Sequence, residues 1–272
     1  DTTYIEYKYD ETFSTNPKGR LTTLIDSSGT EKFYYDKLGR TAKTVKTIDA
    51  VDYIIETTYD SLGRIETIKY PDNTPIKYEY DTGGNLYLVK NTSNGAVYAG
   101  YSGYNALGQV ASIGYGNGVN TGYSYDALNN RLYTINTNSP SAGGLMNLSY
   151  SYDNVGNITN ITDIMDSQKT RTFEYDDINR LIEAGSPSYG GNLLYQYDKI
   201  GNMTYNCKYG YYYYDAPLHK HAVTRVVKNG QTIDTYSYDA NGNMISGAGR
   251  TLTYDYDNKP TSITYGSTYA IS

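Results

Sequence analysis

The chain has 272 residues, of which 36 are tyrosine and none is tryptophan, and it carries a formal net charge of −6 with an isoelectric point near 5.0. This acidic balance argues against a nucleic-acid partner, because scattered Lys and Arg side chains create no basic field that would attract phosphate. The single cysteine, Cys207, excludes an intrachain disulfide and a cysteine-based zinc site. No apolar run approaches the roughly 18 residues of a membrane-spanning helix, so no membrane span is expected.

Along the chain, a short motif of the form Tyr-Asp-x-x-Gly-Arg/Asn, followed by an apolar residue, returns at intervals of 17 to 27 residues. A repeat of this period indicates a repeat architecture and is the first feature to establish. Degenerate copies start at Tyr9-Asp10 (completed late by Gly19), Tyr214-Asp215 and Tyr256-Asp257, and a weaker copy starts at Tyr104. The other motif residues are, in chain order, Tyr35, Asp36, Gly39; Tyr59, Asp60, Gly63; Tyr80, Asp81, Gly84; Tyr125, Asp126, Asn129; Tyr152, Asp153, Gly156; Tyr175, Asp176, Asn179; Tyr197, Asp198, Gly201; and Tyr238, Asp239, Gly242. Residues 1–272 therefore form a single array of about twelve hairpin units.

The residues of each unit predict its backbone conformation. Alternation before the motif, as in Tyr78-Glu79-Tyr80, places both tyrosines on one face of a strand. The Asp carboxylate can accept a backbone N–H two residues on, and Gly three residues after Asp suits the left-handed position of a type I turn followed by a bulge. At Asn129 and Asn179 the glycine is replaced by a residue that tolerates positive φ.

A second strand and a distal turn complete the unit, as in residues 64–70 followed by Pro71-Asp72-Asn73. The array thus predicts an all-β fold of roughly 20 to 24 antiparallel strands, each of roughly seven to nine residues, with almost no helix. Neighbouring strands twist by roughly 20 to 25°, so we expect the tandem hairpins to form a long spiral, curved or barrel-like meander sheet.

The repeated motif resembles the YD, or RHS, repeat of bacterial rearrangement-hotspot polymorphic toxins, wall-associated proteins, insecticidal toxin complexes and animal teneurins. The stretches 115–119, 221–224 and 256–263 resemble the same family. The resemblance implies a β-sheet wound spirally into a hollow shell, which encloses a toxic segment in the toxins and supports adhesion in teneurins. The chain is shorter than those that close such a shell, and no Asp-Pro-containing cleavage motif follows its repeats. We therefore expect a fragment of a larger protein that forms part of a shell.

Two segments are candidates for a site. His219 and His221 lie two residues apart near Asp215, a spacing that places both on one strand face as in a metal site, but no third ligand is evident and a structural role is expected. Serine occurs in no Gly-x-Ser-x-Gly motif and the aspartates recur at turn positions, so no enzyme, cofactor or metal is predicted. The run Tyr211, Tyr212, Tyr213 and Tyr214 must show rings on both sheet faces. It is either a strand buried on both sides or a ligand surface suited to carbohydrate or protein.

The leading hypothesis is a non-catalytic scaffold of a secreted or cell-surface bacterial protein, which encloses or presents a toxin or another partner segment of its parent polypeptide. One alternative is a carbohydrate-binding or adhesion module whose tyrosine-rich faces recognise cell-surface or wall glycans. Another is an extracellular filament subunit that self-associates through unpaired sheet edges.

Overall fold

The fold consists of antiparallel β-strands joined by tight turns. The computed structural model describes residues 5–266 and 268–271; residues 1–4, 267 and 272 of the predicted array lie outside the described part. Within that part there are 25 strands and two short 3-10 helices, Ser167–Lys169 and Pro187–Tyr189. No helix among the described residues has the length and apolar character that crossing a membrane requires. The all-β prediction is confirmed.

The chain separates into two compact units, Asp1–Asn147 and Leu148–Ser272. The strands of the first unit are β1 (Glu6–Tyr9), β2 (Leu21–Asp26), β3 (Gly29–Tyr35), β4 (Thr41–Ile48), β5 (Val51–Tyr59), β6 (Ile65–Lys69), β7 (Pro75–Tyr80), β8 (Leu86–Asn91), β9 (Val97–Ser102), β10 (Ser112–Tyr115), β11 (Asn120–Tyr125) and β12 (Leu132–Ser139).

The second unit takes up the chain within β13 (Gly143–Tyr152), whose pairing with the next strand begins at Leu148. Its further strands are β14 (Ile158–Asp163), β15 (Arg171–Tyr175), β16 (Leu181–Gly185), β17 (Leu193–Tyr197), β18 (Met203–Asn206), β19 (Gly210–Tyr213), β20 (Arg225–Lys228), β21 (Gln231–Tyr238), β22 (Met244–Gly247), β23 (Arg250–Tyr254), β24 (Pro260–Tyr265) and β25 (Thr268–Ile271).

In both units the chain runs as a meander, since strands that are consecutive in the sequence pair antiparallel, as from β3 to β7 in the first unit and from β15 to β18 in the second. A motif segment joins each odd-numbered strand to the next even-numbered one, and a distal turn joins the even-numbered strand to the following odd one. All motif turns of a unit therefore lie along one edge, and all distal turns along the other. We call these the motif edge and the distal edge.

The strands are shorter than the predicted seven to nine residues in most cases, with lengths from four to ten. Part of the reason is a register shift beside most motifs. Tyr59 pairs with Ile65 while Thr58 pairs with Thr67, so that Glu66 has no partner across the ladder. The same shift occurs beside Tyr35, Tyr80, Tyr197 and Tyr238, and elsewhere in the array. The prediction of a turn followed by a bulge describes this arrangement, but the bulge shortens the regular ladder.

The buried core is thin. Among the described residues, the buried apolar side chains are Ile76, Ala99, Ala184, Val226 and Leu252, and several buried side chains are polar, with Thr22 fully enclosed. Most motif tyrosines are instead half-buried. Because a tyrosine ring buries much apolar area and keeps a hydroxyl for hydrogen bonding, it can stabilise a sheet that has little dense core.

Candidate functional site

The motif residues build one turn that is repeated with little change. In the turn after β3, the Asp36 carboxylate accepts the backbone N–H groups of Leu38 and Arg40, both at 2.9 Å. Gly39 donates its N–H to the Asp36 carbonyl at 3.0 Å and has φ of +80°, a value that a residue with a Cβ adopts only with strain. Positive φ also occurs at the motif glycines Gly63, Gly84, Gly156, Gly201 and Gly242. The turn chemistry expected from Asp and Gly is therefore present.

Asn179 occupies the expected left-handed position, with φ of +64°, but the expectation for Asn129 is wrong. Asn130 has positive φ there (+57°), because this turn contains one additional residue and closes from Asp126 N–H to the Arg131 carbonyl. The Asn129 side chain instead accepts the Arg131 N–H at 2.9 Å. Two consecutive asparagines allowed the wrong one to be assigned.

The last motif also lies elsewhere than expected. The turn starts at Tyr254-Asp255, since Asp255 and Lys259 close it and Asn258 has φ of +59°. The residue three positions after Asp257 is Pro260, whose ring fixes φ near −65° and excludes the left-handed position. Tyr256, taken from the sequence as the motif tyrosine, is 97% exposed at the apex of this turn.

Two motifs are interrupted by longer loops. The Asp10 N–H bonds to the Arg20 carbonyl, and the Gly19 N–H donates to the Asp10 carboxylate, so this turn closes across eight intervening residues, as the late completion at Gly19 predicts. After Tyr214 the chain forms a loop over residues 214–224 between β19 and β20. Both loops lie on the motif edge.

The motif tyrosines connect each hairpin to the one before it. The Tyr59 hydroxyl donates to the Thr41 carbonyl at 2.8 Å, and Thr41 is the second residue after the glycine of the preceding motif. The same contact is made by Tyr35, Tyr80, Tyr104, Tyr125, Tyr175, Tyr197, Tyr214, Tyr238 and Tyr254. We call it the hydroxyl clasp. The structure therefore gives these hydroxyls backbone carbonyl partners.

The residue after the motif glycine holds the turn together and also reaches the next hairpin. Arg40 and Arg64 pair with Asp36 and Asp60 at 2.6 and 2.7 Å, and the Arg40 guanidinium lies 4.3 Å from the ring centre of Tyr59 in the following motif. Where asparagine takes this position, its amide bonds the turn Asp and a neighbouring turn. Asn243, for example, donates to Asp239 and to Asn258.

Sequence reasoning missed this second role. The recurrence of Arg or Asn immediately after the glycine was visible in the motif, and it was the signal from which a bridging residue could have been inferred. Related bridges run from Asn157 to Asn179, from Arg180 to the Asp198 carbonyl, and from Asn202 to the Lys220 carbonyl, with distances of 2.8 to 2.9 Å.

These contacts shift the acidity of the turn carboxyls and of the tyrosines. The backbone N–H of Arg180 lowers the pKa of Asp176; partial desolvation opposes this shift, and the Arg180 guanidinium adds to it. In Asp239, the Asn243 amide is the largest cause of a lowered pKa. Burial raises the pKa of the clasp tyrosines Tyr35, Tyr197 and Tyr238. The turns therefore favour a charged Asp and a neutral Tyr.

The histidine segment is part of the loop 214–224. The His221 ring nitrogen Nδ1 lies 2.7 Å from the Asn202 side-chain oxygen, and Asp215 forms an ion pair with Arg225 at 3.1 Å. The structure thus gives His221 and Asp215 separate partners, while the His219 ring lies beside Gly242. No group of three or more His, Cys, Asp or Glu side chains in the described residues is arranged to hold a metal ion.

The tyrosine run is divided between two environments. Tyr212 and Tyr214 are half-buried, and Tyr214 makes a hydroxyl clasp to the Met203 carbonyl at 2.9 Å. On the opposite face, the Tyr213 ring lies 3.7 Å below the Arg225 guanidinium, and Tyr211 is 53% exposed. The strand is therefore not buried on both sides. Tyr211 is the member of the run that is open to a ligand, and its ring packs against Tyr205 with 4.7 Å between ring centres.

Together, the fold and the motif edge define a class of protein: an all-β array of antiparallel hairpins held by repeated turn and clasp contacts. No family model matches the sequence, and no curated protein matches it.

Solved structures with the same fold include chains of a Tc toxin complex. The crystal structure of TcdB2-TccC3 superposes with a TM-score of 0.74 and 18% identity, covering 97% of this chain and 16% of that chain. The Photorhabdus luminescens Tc holotoxin pore gives a TM-score of 0.71 and 19% identity over 93% of this chain and 15% of that one. TcdB2-TccC3-Cdc42 gives 0.70 and 19% over 92% and 15%. This likeness shows the fold, and the chain spans 15 to 16% of the length of these structures.

Proposed function

We propose that the chain is a non-catalytic YD/RHS-type scaffold of a secreted or cell-surface bacterial protein. In this role its hairpins form part of a β-wall that encloses or presents another segment of the parent polypeptide, such as a toxin.

The hydroxyl clasp is the observation that carries this proposal. In ten motifs the tyrosine, the most abundant residue type, uses its hydroxyl to hold a neighbouring hairpin. The turn aspartates are likewise bound to backbone N–H groups and to the residue after the glycine. The tyrosine hydroxyls and the turn carboxylates are thus engaged in holding the turns and connecting one repeat to the next, which is what a wall requires.

The fold comparison supports the same role. An array that superposes on TcdB2-TccC3 over 97% of its length has the hairpin geometry from which that larger chain is built in the matched region. A secreted or surface location and a partner within the parent polypeptide follow from the proposed kinship with such toxin chains.

The proposal is tested on the complete gene product by single-particle electron microscopy and limited proteolysis. We expect these hairpins to line a wall with protease-resistant polypeptide against one face. Gly63→Pro cannot adopt φ of +83° and should open the wall and expose that polypeptide, while Ser61→Ala in the same turn should leave it protected. Images in which the hairpins stand apart, with no polypeptide against either face, would refute the scaffold role.

A binding module is the second candidate, and Tyr211 favours it, because an aromatic ring that is 53% exposed and is held by a tilted contact with the half-buried Tyr205 ring suits a sugar ring. The test is a glycan array probed with the wild-type chain, Tyr211→Ala and Tyr133→Ala. The control, Tyr133, is 56% exposed on another strand. A binding module predicts glycan signals lost only in Tyr211→Ala; absence of wild-type binding across a broad array rejects this candidate.

A further inference from the structure

Two tyrosine rings face each other across the ladder between β18 and β19. Tyr205 and Tyr211 are direct partners in the register, and their ring centres lie 4.7 Å apart with 43° between the ring planes. Directly opposed residues of an antiparallel pair project from the same face of the sheet, so the register keeps both rings together. Tyrosines on other strands face different residue types, as Tyr78 faces Val89. The β18–β19 ladder therefore makes neighbours of two phenols.

The hydroxyls of this pair take no part in the hydroxyl clasp. Tyr197 at the end of β17 and Tyr214 after β19 each donate to a backbone carbonyl at 2.9 Å. The Tyr205 and Tyr211 hydroxyls make no hydrogen bond with another described residue. A phenol that is oxidised must lose its proton, and a hydroxyl bonded only to water can release that proton without breaking a contact within the protein. The two unclasped phenols are therefore the more easily oxidised ones in this part of the array.

Access and charge favour the same pair. Tyr211 is 53% exposed, so an oxidant in solution reaches its ring, and Tyr205 lies half-buried directly beside it. Tyr213 projects from the same face two residues later, but its ring lies 3.7 Å from the Arg225 guanidinium. A cation against an aromatic ring opposes the loss of an electron from that ring, because the positive charges repel. Tyr213 is thus protected from oxidation, while Tyr211 is not.

We propose that Tyr205 and Tyr211 form a site of oxidative cross-linking, at which a haem peroxidase with hydrogen peroxide joins the two phenols as a dityrosine within one chain. The carriers of this proposal are the direct ladder pairing, the ring contact and the two unclasped hydroxyls. The inference goes beyond the scaffold role, since it concerns a covalent modification of the array and not what a wall encloses.

The reaction balances with hydrogen peroxide as the oxidant. Each phenol loses an electron and a proton and becomes a phenoxyl radical. The two radicals form a carbon–carbon bond between the ring carbons beside the hydroxyls, and the hydrogen on each of these carbons then moves to the phenol oxygen. Both phenols are thereby restored. The peroxide takes up the two electrons and the two protons and leaves as two molecules of water.

The ladder favours a link within one chain over a link between chains. Two reactants held in contact combine without the loss of freedom that an encounter between separate molecules requires. The link would join β18 to β19, whose ladder consists of the pairs Tyr205–Tyr211 and Asn206–Gly210 and is followed by the loop 214–224. A covalent bond across this short ladder restricts the unfolded hairpin and so favours the folded one.

The test is oxidation of the purified full chain by a haem peroxidase and hydrogen peroxide at low protein concentration, followed by trypsin digestion and mass spectrometry. Trypsin cuts after Lys208, so a link between Tyr205 and Tyr211 joins the peptides 200–208 and 209–220, and fragment ions identify the linked tyrosines. An equimolar mixture of unlabelled and isotope-labelled chain distinguishes links within one chain, which carry a single label state, from links between chains.

Phenylalanine variants remove one phenol and keep the ring, and circular dichroism verifies their fold. The matched control is Tyr209→Phe, because Tyr209 is 48% exposed in the same tryptic peptide and has the Lys208 ammonium group against its ring at 5.5 Å. We expect linked peptides with a single label state from the wild type and from Tyr209→Phe. Tyr205→Phe and Tyr211→Phe should each give at least about tenfold less of this product.

Three outcomes would overturn the proposal. Linked peptides that persist undiminished in Tyr211→Phe would place the link at another tyrosine of the run. Links of mixed label that predominate at low concentration would show that tyrosines of separate chains combine more readily than this pair. A wild type that yields no linked peptides, although the peroxidase oxidises free tyrosine in the same buffer, would remove the site altogether.

Discussion

Removal of one hydroxyl clasp tests whether the motif tyrosine stabilises the array through its hydroxyl or only through its ring. Strand β5 offers a matched pair for this experiment. Tyr59 donates to the Thr41 carbonyl at 2.8 Å, while Tyr53 on the same strand is 45% exposed and makes no hydroxyl hydrogen bond with another described residue. Tyr59→Phe and Tyr53→Phe therefore delete the same atom with and without a clasp.

The expected cost follows from the contact that is lost. A net intramolecular hydrogen bond contributes about 0.5–1.5 kcal/mol, and a carbonyl left without a partner adds to the loss when water cannot replace the donor. Because Tyr59 is only half-buried, water can partly solvate the Thr41 carbonyl, and we expect about 1 kcal/mol for Tyr59→Phe. The ring remains in place beneath Arg40, so the 4.3 Å guanidinium contact should persist. Tyr53→Phe should cost almost nothing.

Hydrogen exchange is the appropriate assay, since a hairpin array opens locally and stability resides largely in contacts between neighbours. A loss of 1 kcal/mol corresponds to roughly fivefold faster exchange of the amides protected by local opening. We expect this acceleration in β4 to β6 of Tyr59→Phe. Equal exchange in the two variants would show that the hydroxyl contributes nothing, and that ring packing alone explains the conserved geometry of the motifs along the chain.

Three further predictions follow from the turns and clasps. Gly201→Ala should lower the free energy of unfolding by about 1–2 kcal/mol, because the φ of +93° is strained for alanine while no atom lies within 4 Å of the added Cβ. Gly201→Asn should lose less, since asparagine tolerates positive φ, and equal stability of the three proteins in urea would contradict this prediction. The lowered pKa of Asp176 means that its contribution is present above the unfolded value of about 3.9 and is lost as the pH falls through the folded pKa, so the urea midpoint should drop there and Asp176→Asn should show a smaller drop. The raised pKa of Tyr238 means that its contribution to stability is present below about pH 10 and is lost as the pH rises through the folded pKa. The measurement is the tyrosinate absorbance of the folded wild type minus that of Tyr238→Phe during a pH titration, and ionisation of Tyr238 at or below about pH 10 would contradict the prediction.

The turns could be predicted from the sequence because their chemistry is local. An Asp that accepts nearby N–H groups and a Gly that supplies positive φ act within five residues, and no distant partner is needed. The two wrong assignments arose where the motif was read as a string of letters. Asn130 and not Asn129 takes the left-handed position, and Pro260 excludes a turn that starts from Asp257.

The contacts between hairpins could not be predicted in the same way. Which carbonyl receives the Tyr59 hydroxyl depends on the register of three strands, and that register is itself displaced by the bulge at Glu66. The exposure of Leu62 at the motif turn could not be predicted either. Leu62 reads as an ordinary apolar residue in the sequence, and its exposure becomes apparent only when the turn places it beyond the last rung of the ladder.

The hydroxyl clasp has a consequence for how such a chain can change over generations. Each motif offers its neighbour the same carbonyl and requires the same hydroxyl in return, so the junction between any two hairpins is chemically equivalent to most others. Recombination that deletes or duplicates one whole hairpin would rejoin a matching donor and acceptor, whereas loss of a single strand would not. The loop at 214–224 is an example of tolerance, since the Tyr238 hydroxyl still donates to a carbonyl near the end of that loop, at Val223. The length of the array can therefore change by two strands at a time, because the new neighbours form the same clasp contact.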